Sequence, residues 1–111
     1  MGKHRTRINI VANILSVVNT NNGSKKTHIM YQAYLSYSLL IRYLNDLVKA
    51  NLLVFGETNR YFLTKKGKDF LFNFSEYARL NEDVEEKVSY IKDHRLKLEK
   101  MCPGSKLLNS D

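Results

Sequence analysis

The sequence predicts a mostly α-helical fold with a small β-hairpin, an α+β winged helix-turn-helix followed by one long helix that forms an antiparallel coiled coil. Three observations carry this. The apolar pattern runs helix, short helix, turn, helix, hairpin, long helix. A heptad stripe follows the last helix. The excess of positive charge sits wholly on the N-terminal two-thirds of the chain.

The first helix is marked by Ile8, Val11, Ala12, Ile14, Leu15 and Val18, which recur at three- and four-residue steps. Thr20-Asn21-Asn22-Gly23 ends it, with Gly23 suited to a left-handed C-terminal cap. Ser24 is the expected cap of a short second helix with Ile29, Met30, Ala33 and Tyr34 as its apolar positions. Leu35-Ser36 is the turn. Ser36 caps a third helix reaching about Ala50, with Leu40, Tyr43, Leu44, Leu47 and Val48 on one side. Leu52-Leu53-Val54-Phe55 and Arg60-Tyr61-Phe62-Leu63 then flank Gly56-Glu57-Thr58-Asn59, a hairpin signature. Thr64 caps the long helix, which Cys102-Pro103-Gly104 stops because proline cannot continue it. The expected organisation is a winged helix-turn-helix domain over 1–67, a dimerising helix over 68–102 and a flexible tail over 103–111.

With Phe74 at a heptad a position, the d positions are Phe70, Tyr77, Val84, Ile91 and Leu98, and the a positions continue as Asn81, Val88 and Arg95. A helix of this length extends on the order of 55 Å at its usual rise, more than a small domain covers. The stripe therefore calls for a partner, and a second copy is the simplest one. Acids (Glu76, Glu82, Asp83, Glu85, Glu86) precede bases (Lys92, Arg95, Lys97, Lys100), so an antiparallel pair centred near Val88 to Ile91 sets opposite charges side by side. The alternative is a helix folded back on its own domain.

The net charge is +7. Residues 1–70 hold eleven Lys/Arg against three Asp/Glu, whereas residues 71–111 hold seven against eight. A basic body on a balanced tail points to a polyanion, with nucleic acid first; the bland alternative is a solvated basic surface. No apolar run approaches a membrane span and no signal-peptide core follows the basic N-terminus, so a cytoplasmic location is expected. The single cysteine, Cys102, cannot form an internal disulfide, which fits a reducing compartment.

Enzyme chemistry finds little support. His4, His28 and His94 are scattered without cysteine or carboxylate partners at metal-ligand spacing, and there is no phosphate-cradling glycine motif or nucleophile elbow. No metal, cofactor or small-molecule ligand is expected.

The stretch Thr27-His28-Ile29-Met30-Tyr31-Gln32-Ala33-Tyr34-Leu35-Ser36-Tyr37, continuing Ser38-Leu39-Leu40-Ile41-Arg42-Tyr43-Leu44, resembles the small archaeal winged-helix/coiled-coil DNA-binding proteins, the ten-kilodalton chromatin-type proteins of Sulfolobus. Tyr61-Phe62-Leu63-Thr64-Lys65-Lys66-Gly67 is similar to the strand-to-helix junction of that family and of many winged-helix regulators. The resemblance covers roughly residues 5–100. It implies an antiparallel coiled-coil dimer that binds double-stranded DNA in a chromatin-organising or regulatory role, associated with the nucleoid.

From the residues themselves, the phosphate candidates are Lys3, Arg5 and Arg7 on the N-terminal arm, Lys25 and Lys26 at the start of the second helix, and Lys65 and Lys66 after the wing. Tyr37, Ser38, Ile41, Arg42 and Asn45 form the groove-facing surface of the third helix. Ile41 either meets a thymine methyl or packs under the wing. Asn59 and Arg60 are the wing candidates, Asn59 also being a residue that tolerates positive φ. Seven tyrosines and five phenylalanines raise base stacking on single strands, with Tyr31 and Tyr37 the residues to test. A winged-helix module that docks on protein instead of DNA is the competing function.

Overall fold

A computed structural model of the chain describes residues 5–103. The order is α1 (Arg7–Asn21), β1 (Ser24–Lys25), α2 (Lys26–Ala33), α3 (Tyr37–Lys49), β2 (Leu53–Phe55), a 3-10 turn (Glu57–Asn59), β3 (Arg60–Leu63) and α4 (Lys65–Met101). The chain divides into two units, one through Ser75 and one from Glu76. Among the described residues no helix is long and apolar enough to cross a membrane.

The core of the first unit is built from Ile10, Ile14, Leu15 and Val18 of α1, Ile29 and Ala33 of α2, Leu35 of the turn that follows, Leu40, Leu44 and Leu47 of α3, and Leu53 of β2. Each fully buried aliphatic side chain of this kind contributes about 1.5–3 kcal/mol. On α3 the buried residues fall at three- and four-residue steps, which leaves Tyr37, Ser38, Arg42 and Asn45 on the solvent side. The Ser36 Oγ accepts the Leu39 N–H at 3.3 Å and starts α3. Ser36→Ala removes that cap and is expected to cost about 1 kcal/mol. A thermal melt followed by helix ellipticity reads the loss, and an unchanged midpoint would show that the cap contributes nothing.

The wing is a three-stranded sheet of order β1-β3-β2, where a two-stranded hairpin was expected. Ser24 does not cap α2. It pairs with Tyr61, and Lys25 with Arg60, across β1 and β3. The reason lies in two neighbours. Asn21 Nδ2 donates to the Ser24 Oγ at 3.2 Å, and Ser24 is only 1% exposed, so its hydroxyl is engaged away from α2. Gly23, at φ 110°, lies so close to Phe62 that a Cβ would stand 2.4 Å from its ring. That contact holds the α1–α2 connection against β3. The hairpin itself follows the expected register, Leu53 opposite Leu63, Val54 opposite Phe62 and Phe55 opposite Tyr61.

Other expectations are corrected. The left-handed residue closing α1 is Asn22 and not Gly23. Ile8 is exposed, and Ile10 takes its place in the core. Val48 lies at the exposed edge of α3. Tyr34 is not an apolar core position but the C-terminal cap of α2, with φ 55° and 86% of its surface exposed.

The root of α4 is fastened to the end of α3. Thr64 Oγ1 accepts the Gly67 N–H at 3.0 Å and donates to the Asn51 carbonyl at 2.6 Å. The Thr64 N–H donates to the Leu52 carbonyl at 3.2 Å. Phe70 and Leu71 then pack on the core, so the first turns of α4 belong to the first unit.

Candidate nucleic-acid interface

The outward face of α3 carries Tyr37, Ser38, Arg42 and Asn45, all exposed, with Ile41 half-buried beside them. Their helical angles share a single sector, distinct from that of Leu40, Leu44 and Leu47, with Tyr37 at the edge nearest the core. One helix thus fixes a core face and a solvent-facing surface by the same periodicity. Its exposed side chains have the chemistry of base and phosphate contact: a guanidinium, a hydroxyl, an amide and a phenol.

Cations border this face from three other segments. Arg7 opens α1 and lines a hollow of about 270 Å³ with Arg42, Leu39, Tyr43 and Asp46. Arg5 reaches the turn before α3, where its guanidinium donates to the Tyr34 carbonyl at 3.1 Å. Lys26 holds its ammonium 5.6 Å from the centre of the Tyr37 ring, a cation–π distance that places positive charge at the start of α3. Lys3 lies outside the described residues.

The sheet adds the wing. Lys25 and Arg60 are direct cross-strand neighbours, and both line a cleft of about 530 Å³ with Thr27, His28 and Tyr31. On the other side of Lys25, Lys26 and Thr27 share a cleft of about 340 Å³ with Asn59, Phe55 and Tyr61. Phe55 and Tyr61 face each other with ring centres 4.8 Å apart. Asn59 has φ 58°, so its turn conformation accounts for the residue type. Glu57 stands in the same turn as an acid.

The two lysines after the wing differ. Lys66 Nζ donates to the Ala50 carbonyl at 2.9 Å, capping the end of α3. Lys65 is exposed. What the sequence reading missed is Tyr34 and its bond with Arg5, because nothing in local propensity places a tyrosine in a left-handed cap.

In the second unit the heptad positions Tyr77, Val84, Val88, Ile91 and Leu98 are each more than half exposed, as is Leu80. Asn81 and Arg95 are also exposed, and Arg95 pairs with Glu99 at 3.8 Å. Phe74 is half-buried in the first unit, and Phe70 packs against that unit's core. Arg79 bonds to Glu76 at 3.0 Å and lies 3.6 Å from Asp83. The hydrogen bond and charge of Glu76 raise its already high pKa. Cys102 is exposed after the end of α4.

A sequence-family model for winged helix-turn-helix proteins matches residues 4–82. The chain belongs to the winged helix-turn-helix family. Its match takes in the whole three-helix core, the sheet and the first half of α4. Among solved structures, this winged helix-turn-helix protein is similar to Sso10a-2, described as a DNA-binding protein from Sulfolobus solfataricus. The TM-score is 0.70 at 26% identity, over 80% of this chain and 95% of that one. It shares its fold with a MarR-family transcriptional regulator from Silicibacter pomeroyi, at a TM-score of 0.56 and 16% identity, over 84% of this chain and 71% of that one. No curated protein sequence matches the chain.

Proposed function

We propose that this winged helix-turn-helix chain binds double-stranded DNA as a homodimer, acting as a transcriptional regulator or chromatin-architectural protein on the nucleoid of the cytoplasm. It works by binding and not by catalysis. The observation that carries the reading is the outward face of α3, Tyr37 to Asn45, bordered by Arg5, Arg7 and Lys26 and flanked by the Lys25–Arg60 pair. The description of Sso10a-2 as DNA-binding supports it. The dimer reading rests on the apolar stripe of α4, which solvent covers in the single chain.

The chemistry makes a quantitative demand. Cations that neutralise phosphates release condensed counterions, so affinity for duplex DNA must fall steeply with salt. Fluorescence anisotropy with a random duplex of about 30 base pairs, and with its single strand, tests this across a salt series. Arg42→Ala is expected to weaken duplex binding about tenfold, and Lys25→Ala and Lys26→Ala each to reduce the salt slope by about one. Absence of duplex binding at low salt would overturn the reading and leave docking on a protein partner. Preference for the single strand would move the interface to the exposed tyrosines.

A further inference from the structure

Three helices of the first unit end in the same way. Asn22 after α1, Tyr34 after α2 and Asn51 after α3 each adopt a left-handed conformation, with φ of 55°, 55° and 65°. At each end the next N–H turns back on the helix: Gly23 to Val18, Leu35 to Met30 and Leu52 to Leu47, at 3.0, 3.1 and 2.9 Å. This closure favours glycine or asparagine, because a Cβ in the left-handed region crowds the backbone. Asparagine fills it twice. At the turn between α2 and α3 a tyrosine fills it instead.

Packing does not explain that choice. The tyrosine is 86% exposed, so its side chain contributes little to the core. A bulky residue at positive φ, without a packing reason, directs attention to what the side chain does outside the fold. Its neighbours carry charge. The Arg5 guanidinium sits on the Tyr34 carbonyl, and Tyr37, three residues on, lies under the Lys26 ammonium.

We propose that Tyr34 is a DNA-contacting residue whose phenol donates a hydrogen bond to a backbone phosphate of the duplex, with Arg5 neutralising the same stretch of strand. The inference rests on the DNA-binding reading and deepens it. It assigns the helix-turn-helix turn, beside the recognition helix, as a strand-positioning contact. A contact of this kind fixes orientation and carries no base preference.

The conflict between fold and contact supplies the test. Tyr34→Gly relieves the left-handed strain, so its melting temperature is expected to rise by a few degrees, while duplex affinity falls about tenfold. Tyr34→Asn, a residue the fold itself uses at the other two ends, is expected to behave the same way and keeps the turn from loosening. Tyr34→Phe retains both ring and strain, and loses affinity through the missing hydroxyl alone. Arg5→Ala lowers the salt slope by about one, whereas the Tyr34 variants leave it unchanged because a neutral phenol displaces no counterion. Wild-type affinity in both Tyr34→Gly and Tyr34→Asn would overturn the inference and leave the DNA reading standing. Wild-type affinity in Tyr34→Phe would overturn the phosphate bond. Failure of the unaltered protein to bind duplex would remove both readings together.

Discussion

Gly67→Ala is expected to destabilise the protein by about 2 kcal/mol, although alanine is the better helix former. On an exposed helix surface this change would be stabilising. Here a Cβ on residue 67 would stand 2.4 Å from the Leu52 carbonyl oxygen and 3.0 Å from the Leu63 side chain. The oxygen cannot yield freely, since it accepts the Thr64 N–H. Thr64 in turn binds both Gly67 and Asn51. Relief of the clash therefore pulls α4 off the α3–β2 junction and loosens Phe70 and Leu71 from the core. For a domain of this size the melting temperature should fall by roughly 10 °C. A variant that melts at or above the wild-type temperature would show that the junction has more room than its geometry indicates.

Placing Glu at both Val88 and Ile91 is expected to turn a dimer into a monomer at micromolar concentration. Both side chains are largely exposed in the single chain, so the first unit should melt as before. In a paired helix they occupy adjacent a and d positions, where carboxylates would be buried beside one another and beside the acids of the same region. Apparent affinity for a long duplex should drop about a hundredfold, since the second domain's binding ceases to be intramolecular. Affinity for a duplex too short for two domains should hold. Sedimentation velocity reads the first effect and anisotropy the second. A wild-type protein already monomeric under these conditions would end the dimer proposal, as would a double variant that stays paired.

Most of the fold is legible in the chain because its helices announce themselves by period. Leu40, Leu44 and Leu47 define the buried side of α3, and the same spacing exposes Ser38 and Arg42. Ser36 and Thr64 act as the caps their positions imply. What escapes is two-body in origin. A strand of two residues has no period, so β1 becomes visible only when Phe62 meets Gly23 and Asn21 engages Ser24. Lys66 reads as a free cation until the Ala50 carbonyl is seen within its reach. Phe70 satisfies the heptad and the core equally, so its pattern cannot say where one ends. Tyr34 runs against its own propensity, and such exceptions are where a functional demand competes with the fold.

The third strand has a mechanical consequence. In a hairpin wing joined to its domain at one edge, the tip can flex independently of the helices. Here β1 stitches the wing to the connection that leads directly into α2, so Arg60, Lys25 and Lys26 ride on one plate. A swing of the wing would have to drag α2 with it, against Ile29 and Ala33 in the core. The spacing of the backbone that carries these cations is consequently set before any encounter. On the proposed DNA-binding reading, a frame that resists such a swing favours a duplex that bends or narrows its groove readily over a stiff one of equal charge.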